Sequence, residues 1–205
     1  MEGILKPATG ERRKVHPHKF ALWLGLGSIV MMFAGLTSAY IVRMGQGNWR
    51  FFKLPNSFYL STGVIILSSI TMALGLRAFK SRKMTQYRSL ISLTLILGIL
   101  FGVLQSYGFY QLYHIPQAIT LEDGTSIMQG VRVNGNPSES FVFIIAGLHL
   151  AHILGGIIAL IIVFFKAYRK RVKVYNTTGL EIVATYWHFV DVLWLYLFIF
   201  FLVNQ

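Results

Sequence analysis

Five apolar runs, each about 20 residues long, constrain what this chain can fold into, because a helix of that length crosses the hydrocarbon core of a bilayer. The composition agrees, since 55% of the 205 residues are hydrophobic and only 13% are charged. We therefore predict an all-α membrane bundle of five transmembrane helices, at Phe20–Val42, Phe58–Leu76, Leu90–Tyr113, Phe141–Phe165 and Ile182–Val203.

Positive charge is distributed unevenly between the two sides of this predicted bundle. Fifteen of the nineteen Lys and Arg residues lie in residues 1–19, in the loop after the second span or in the loop after the fourth. Cytoplasmic segments of membrane proteins are enriched in Lys and Arg, so we predict a cytoplasmic N-terminus and an external C-terminus. Residues 1–19 then form a cytoplasmic basic tail, and residues 20–205 form a single transmembrane domain. The basic clusters are short and lie between apolar runs, so the net charge of +12 does not indicate nucleic-acid binding.

The one sizeable outer loop covers residues 114–140. It contains Asp123-Gly124 and Asn134-Gly135, dipeptides favoured in tight turns, within stretches of alternating apolar and polar residues. This pattern predicts a short β-hairpin on the outer surface.

Small residues recur at helical spacing in the third and fourth spans. In lipid, helices associate through close packing at such positions. We therefore predict that each of these two spans presses against a neighbouring helix. The residues are Gly98, Gly102 and Ser106 in the third span, and Gly147, Ala151, Gly155 and Ala159 in the fourth.

Ionisable side chains occur inside the last two spans. His149 and His152 share one helix face, and so do His188 and Asp191, with Glu181 just before them. Ionisable groups at membrane depth are costly and normally face the protein interior. We predict a polar seam between the helices, with Glu181 either an interfacial carboxylate or part of a proton-collecting surface.

The histidines raise the question of haem or metal binding, because a carboxylate that accepts from an imidazole is a common arrangement at metal sites. Depth argues against a haem shared by the two spans. On the predicted boundaries, His152 lies about 20 Å and His188 about 9 Å from the cytoplasmic ends of their helices. The chain has no cysteine and shows no hydrolase, zinc-protease or phosphate-loop motif.

Three segments carry a resemblance to a known family. YWHFVDVLWLYLFIF (Tyr186–Phe200), with Glu181 before it, is similar to the last helix of subunit III of haem–copper terminal oxidases. AGLHLAHILGGI (Ala146–Ile157) resembles the preceding helix of that family. WLGLGSIVMMFAGLTSAYIVR (Trp23–Arg43) resembles the first helix of its shorter, five-span bacterial form. The matches cover three of the five spans in the family's order.

The resemblance implies a non-catalytic subunit of a proton-pumping oxidase of the cytochrome c oxidase type, in the bacterial cytoplasmic (inner) membrane. Haem and copper would reside in partner subunits I and II, and this chain would bind phospholipid and support assembly and proton uptake. The chain's six histidines and lack of cysteine also fit neither a haem-binding catalytic subunit nor a thiolate copper centre. The residues implied to line helix interfaces or a lipid cleft are His149, His152, Glu181, Trp187, His188, Asp191 and Trp194.

One position departs from the family pattern, and other functions stay open. Ile29 stands where the family usually has a buried glutamate, so a scaffold and lipid-holding role is favoured over a proton relay through that position. The alternatives are a subunit III of a quinol oxidase, a nitric oxide reductase-associated relative and a five-span haem-b membrane anchor. A small transporter is less favoured, because no span has an interior proline and no repeat is visible.

Overall fold

The computed structural model describes residues 17–121, 123–132, 136–169 and 177–204. In this part of the chain five long helices dominate, and each is long and apolar enough to cross a membrane. The predicted all-α polytopic bundle is therefore confirmed. The helices are α1 (Pro17–Met44), α2 (Asn56–Lys80), α3 (Met84–His114), α4 (Pro137–Tyr168) and α5 (Thr178–Val203).

The helices extend beyond the apolar runs that predicted them. α2 continues to Lys80 and α3 begins at Met84, so a very short turn joins them. Arg82 in this turn has a φ of 57°, a left-handed conformation that reverses the chain quickly. The extensions arise because polar residues at a membrane surface can remain helical, whereas a hydropathy pattern detects only the apolar part of each helix. Of the predicted tail of residues 1–19, Pro17, His18 and Lys19 belong to α1, and residues 1–16 lie outside the described residues.

α2, α3, α4 and α5 pack in a ring in which each contacts the next, and α2 and α5 close it. α1 lies outside the ring against α4 and α5. Successive helices alternate in direction, so the bundle has two distinct ends. The end that includes Lys19, Lys80, Lys83, Arg88 and Lys166 is called the basic end below, and the opposite end carries a small sheet and is called the sheet end.

The sheet contains the predicted hairpin and one strand that was not predicted. Strands β2 (Gln117–Leu121) and β3 (Ser126–Gln129) pair antiparallel, with Ile119 opposite Ile127. The turn between them uses Gly124, whose φ is +80°. The Asp123 carboxylate accepts from the Thr125 hydroxyl and amide, and these bonds hold the pKa of Asp123 below its usual value. The hairpin prediction at Asp123-Gly124 is confirmed, whereas Asn134-Gly135 lies outside the described residues.

The third strand, β1 (Arg50–Phe52), pairs antiparallel with β2 and connects α1 to α2. Gly47 and Asn48 both have positive φ, which turns the chain from the end of α1 into this strand. At three residues β1 is too short to give a periodic signal, so it was missed.

A buried ion pair fastens the sheet to the start of α4. Glu139 is fully buried, and one of its oxygens accepts from Arg50 Nη1 at 2.9 Å. Its other oxygen accepts from the Arg132 backbone N–H at 2.8 Å. The Asn136 side-chain oxygen caps α4 by accepting from the Ser138 backbone N–H, and the Asn136 side-chain nitrogen donates to the Asn48 backbone carbonyl. The sheet and the α4 N-terminus are thus one hydrogen-bonded unit.

Glycines allow the ring to close around Trp187, which is fully buried. A Cβ atom on Gly98 of α3 would lie 2.8 Å from Trp187 Cη2. A Cβ atom on Gly156 of α4 would lie 2.9 Å from Trp187 Cε3. The indole ring therefore fits only because both positions lack a side chain.

Most of the other small residues predicted to pack helices do not make such a contact in the described structure. Gly147 and Ala151 are exposed, and a Cβ atom on Gly147 would meet nothing within 4 Å. A Cβ atom on Gly155 would meet only the Tyr186 hydroxyl, at 3.6 Å, and a Cβ atom on Gly102 would meet only the Ile157 side chain, at 3.8 Å. The close approach is made one residue further along α4, at Gly156, because an indole needs a gap opposite its own ring rather than an unbroken strip of small residues.

We predict that Gly156→Ala destabilises the protein by about 1–3 kcal/mol, because the new methyl group overpacks against a rigid ring. Gly147→Ala, on the same helix, is the matched control and should be neutral or slightly stabilising, since alanine favours helix. Thermal unfolding of the two variants in the same detergent measures the difference. Equal stability of the two variants would contradict this packing.

We predict that Glu139→Ala destabilises the sheet end by about 3 kcal/mol, because it leaves the Arg50 guanidinium without its buried partner. Lys53→Gln, which removes a charge from an exposed side chain near the same strand, should change stability little. Hydrogen exchange of the β1 and β2 amides separates the two variants. Unchanged protection in Glu139→Ala would rule out the anchoring role.

Candidate functional site around helix α5

Two tryptophans on α5 are bound by hydroxyl groups of α2. Trp187 Nε1 donates to Ser68 Oγ at 3.1 Å, and Trp194 Nε1 donates to Thr62 Oγ1 at 3.0 Å. Both indoles are almost completely buried. An indole N–H in hydrocarbon needs an acceptor, and α2 supplies one for each ring. The two predicted site tryptophans thus fix the register of α5 against α2.

Two other hydroxyl groups of α2, those of Ser61 and Thr71, form hydrogen bonds to α3. Gln105 Nε2 donates to Ser61 Oγ at 2.9 Å, and the hydroxyls of Thr71 and Thr94 share a hydrogen bond of 2.9 Å. Serine and threonine are common in membrane helices and carry no periodic signature of pairing, so this network was not predicted. The sequence signal for this network was Gln105, a polar residue inside the third apolar span.

His149 lies in an aromatic enclosure at the centre of the bundle. Its ring stacks on Trp194, with centroids 5.2 Å apart, and meets the edges of Phe33 and Phe101. It is 1% exposed, and neither ring nitrogen has a hydrogen-bond partner among the described residues. The side chain therefore packs as an aromatic ring between α1, α3 and α5.

His152 faces α1 rather than the ring interior. Its Nδ1 donates to the Leu148 carbonyl at 2.7 Å, which fixes the tautomer, and its ring meets Phe33 of α1. The His152 backbone carbonyl accepts from the Tyr186 hydroxyl at 3.0 Å. This turn of α4 therefore binds both α1 and α5.

His188 and Asp191 share a face of α5 but do not pair with each other. His188 Nδ1 and the Ser69 hydroxyl of α2 share a hydrogen bond of 2.6 Å. Asp191 is 3% exposed, and neither of its oxygens has hydrogen-bond geometry to a described residue, although the Ser69 hydroxyl is close enough to interact with it. The imidazole thus bonds to α2, and the carboxyl group is buried on the face of α5 that also carries Trp187 and Trp194.

The predicted difference in depth between His152 and His188 was too large. Gly156 lies against Trp187, and His149 lies against Trp194. In this antiparallel register His188 is only about one helical turn, roughly 5 Å, from the level of His152. The error arose because α4 extends much further past its histidines at the basic end than α5 does. The histidines are separated sideways instead, since His152 faces α1 and His188 faces α2.

The described residues contain no group of three or more His, Cys, Asp or Glu side chains placed to hold a metal ion. The donor-capable side chains are distributed over different helix interfaces. This arrangement suits helix packing and does not form a ligand set.

Glu181 joins three helices at the basic end. Its two oxygens accept from Lys19 of α1 at 2.7 Å and from Lys80 of α2 at 2.9 Å. The Glu181 side chain is 23% exposed, so the triplet lies at the protein surface. The first turn of α5 is thereby tied to α1 on one side and to α2 on the other.

Comparison with known proteins agrees with this architecture. The family model of cytochrome c oxidase subunit III matches residues 45–204, which is more than half of the chain. A cytochrome c oxidase subunit 3 of Corynebacterium diphtheriae is 30% identical over 85% of this chain and 82% of the relative.

Two further relatives extend over nearly the full chain. A probable cytochrome c oxidase subunit 3 of Nocardia farcinica is 28% identical over 94% of this chain and 93% of the relative. The cytochrome c oxidase subunit 3 of Bacillus sp. is 23% identical over 94% of this chain and 89% of the relative. With five membrane-spanning helices, a tryptophan-centred bundle and a family match that covers most of its length, the chain belongs to the cytochrome c oxidase subunit III family.

Proposed function

We propose that this subunit III is a non-catalytic structural component of its oxidase, which holds phospholipid and stabilises the complex while haem and copper reside in subunits I and II. The observation that carries the proposal is the filled centre of the bundle. Trp187 and Trp194 occupy the ring interior, and His149 is enclosed by aromatic rings that leave its nitrogens out of reach of a ligand. A haem would have to displace these indoles.

Ile29 supports a scaffold role over a proton relay through the first helix. It is partly buried and packs against the hydrophobic core, as an aliphatic side chain should. A proton relay requires a group that can bind and release a proton, and isoleucine cannot. Any support for proton uptake would therefore use groups at the basic end, where Glu181 is the carboxylate that joins α1, α2 and α5.

The distribution of charge supports an orientation for the complex. Among the described residues, the basic end carries eight of the twelve Lys and Arg residues, and cytoplasmic segments favour such residues. The proposed orientation places the basic end in the cytoplasm, the sheet end outside and the protein in the bacterial inner membrane. Anionic phospholipid headgroups are attracted to such a surface.

The relatives are cytochrome c oxidase subunits by name, which favours cytochrome c over quinol as the electron donor of the complex. They favour neither a nitric oxide reductase-associated role nor a free-standing haem-b anchor. The donor itself would be recognised by other subunits.

Purification in mild detergent tests the proposed function. We expect the tagged chain to co-purify with oxidase subunits, and the complex to consume oxygen with reduced cytochrome c. The chain expressed alone should give no haem band in a reduced-minus-oxidised spectrum. A haem band from the isolated chain would support a haem-b anchor instead, and oxygen uptake driven by quinol alone would reassign the donor.

We predict that Glu181→Gln loosens the basic end by roughly 1 kcal/mol or less at low ionic strength, because two exposed ion pairs are lost. Since such pairs are screened, the difference from the unaltered protein should vanish in high salt. Thermal dissociation of the complex at two salt concentrations measures the effect, and the haem spectrum should stay unchanged. A changed haem spectrum would mean that Glu181 acts on the redox centres.

A further inference from the structure

The outward face of α5 forms the floor of a groove between α1 and α2. Val192 and Ile199 on this face are 63% and 58% exposed. α1 flanks one side, where Thr37 Oγ1 and the Tyr196 hydroxyl share a hydrogen bond of 3.0 Å. α2 flanks the other side, where Ser69 bonds to His188. These outward residues of α5, together with the flanking faces of α1 and α2, are called the α5 groove below.

The α5 groove is long enough to seat a transmembrane helix. Glu181, His188, Val192 and Ile199 recur at intervals of seven or four residues, so they lie on one helix face. From Glu181 to Val203 the floor measures about 33 Å, which matches the hydrocarbon thickness of a bilayer. The Lys19–Glu181–Lys80 triplet closes the groove at the basic end.

His188 places an unpaired polar atom on this floor within the hydrocarbon layer. It lies seven residues beyond Glu181 and is therefore about 10 Å from the end of the floor that the triplet closes. Its Nδ1 is used by Ser69, and among the described residues Nε2 has no hydrogen-bond partner. Whichever tautomer is present, Nε2 is then either a donor or an acceptor directed away from α2.

Such an atom is costly if the groove is covered by lipid tails. Acyl chains offer no hydrogen bond, and headgroups lie at the membrane surfaces rather than at this depth. A side chain on another membrane helix can supply the missing partner. Val192 and Ile199, which share its face of α5, are apolar and exposed, as expected of a surface that packs against a helix.

We propose that the α5 groove is the docking surface for a transmembrane helix of a partner oxidase subunit, and that this helix carries a hydrogen-bonding side chain opposite His188 Nε2. The inference rests on the proposed function, since it requires that the chain assembles with other oxidase subunits. It assigns that assembly to one face of the molecule and one polar contact.

Photo-crosslinking in the intact complex tests the surface. A photoreactive amino acid replaces Val192 in the groove or, as a matched control, Val103 on the outer face of α3, which lies across the ring from α5. The two valines are similarly exposed, at 63% and 59%. We expect crosslinks to another oxidase subunit from position 192 and at least fivefold fewer from position 103. Crosslinks from 192 only to lipid or to a second copy of this chain, or partner crosslinks mainly from 103, would overturn the proposal.

Two conservative variants test the polar contact. His188→Gln keeps a hydrogen-bonding group near the place of Nε2, whereas His188→Asn keeps one near Nδ1 and Ser69. If Nε2 binds the partner, the Gln variant should retain the yield of co-purified partner subunit. In the Asn variant that yield should fall about fivefold, as expected for the loss of one interhelical hydrogen bond of ordinary strength in a membrane. The reverse order, or equal retention in both, would assign His188 to contact with α2 alone.

These experiments distinguish the inference from the proposed function. If the unaltered chain co-purifies with no oxidase subunit, the structural role in an oxidase fails. If it co-purifies but position 192 is not at the subunit boundary, only the docking surface fails. Far-ultraviolet circular dichroism and thermal unfolding of each variant identify any loss of the fold, and Ser69→Ala provides a second substitution that leaves Nε2 intact and should retain the partner.

Discussion

The structure depends on the bilayer's inability to hydrogen-bond polar side chains. Inside the ring, α2 meets this constraint in two directions, because its hydroxyl groups accept from the indoles of α5 and pair with the polar side chains of α3. Without those acceptors, Trp187 and Trp194 would bury bare N–H groups. The hydroxyl groups of α2 therefore decide where α5 lies and at what height.

Once the indoles are fixed, packing follows from their size. Trp187 needs space on two sides, and Gly98 and Gly156 provide it from α3 and α4. Trp194 in turn stacks on His149, whose ring meets Phe33 of α1. Polar contacts thus set the register, and aromatic rings carry that register to all the remaining helices.

The sequence predicted those features that follow from the composition of a segment or from a local motif. It missed those that depend on one specific pair of residues from different parts of the chain. Five helices, the hairpin at Asp123-Gly124 and the interior position of His149 and Asp191 followed from apolar length, turn chemistry and the cost of burying ionisable groups. The β1 strand, the Arg50–Glu139 pair and the hydroxyl network of α2 did not, because each joins residues that are far apart in the chain. The hydrogen bond between Ser69 and His188 was not predicted for the same reason, since Ser69 lies on another helix.

The same constraint separates the interior of the molecule from its partner-facing surface. The seam residues Trp187, Trp194 and His149 are enclosed by their own chain, so they stabilise the bundle whether or not a partner is present. His188 is different, because it is partly exposed on the outward face of α5 and only one of its two nitrogens is bound within the described chain. A polar atom left unpaired within the hydrocarbon layer carries a free-energy cost in the isolated subunit that assembly can remove. The bundle can therefore fold as a unit and still favour association along one face.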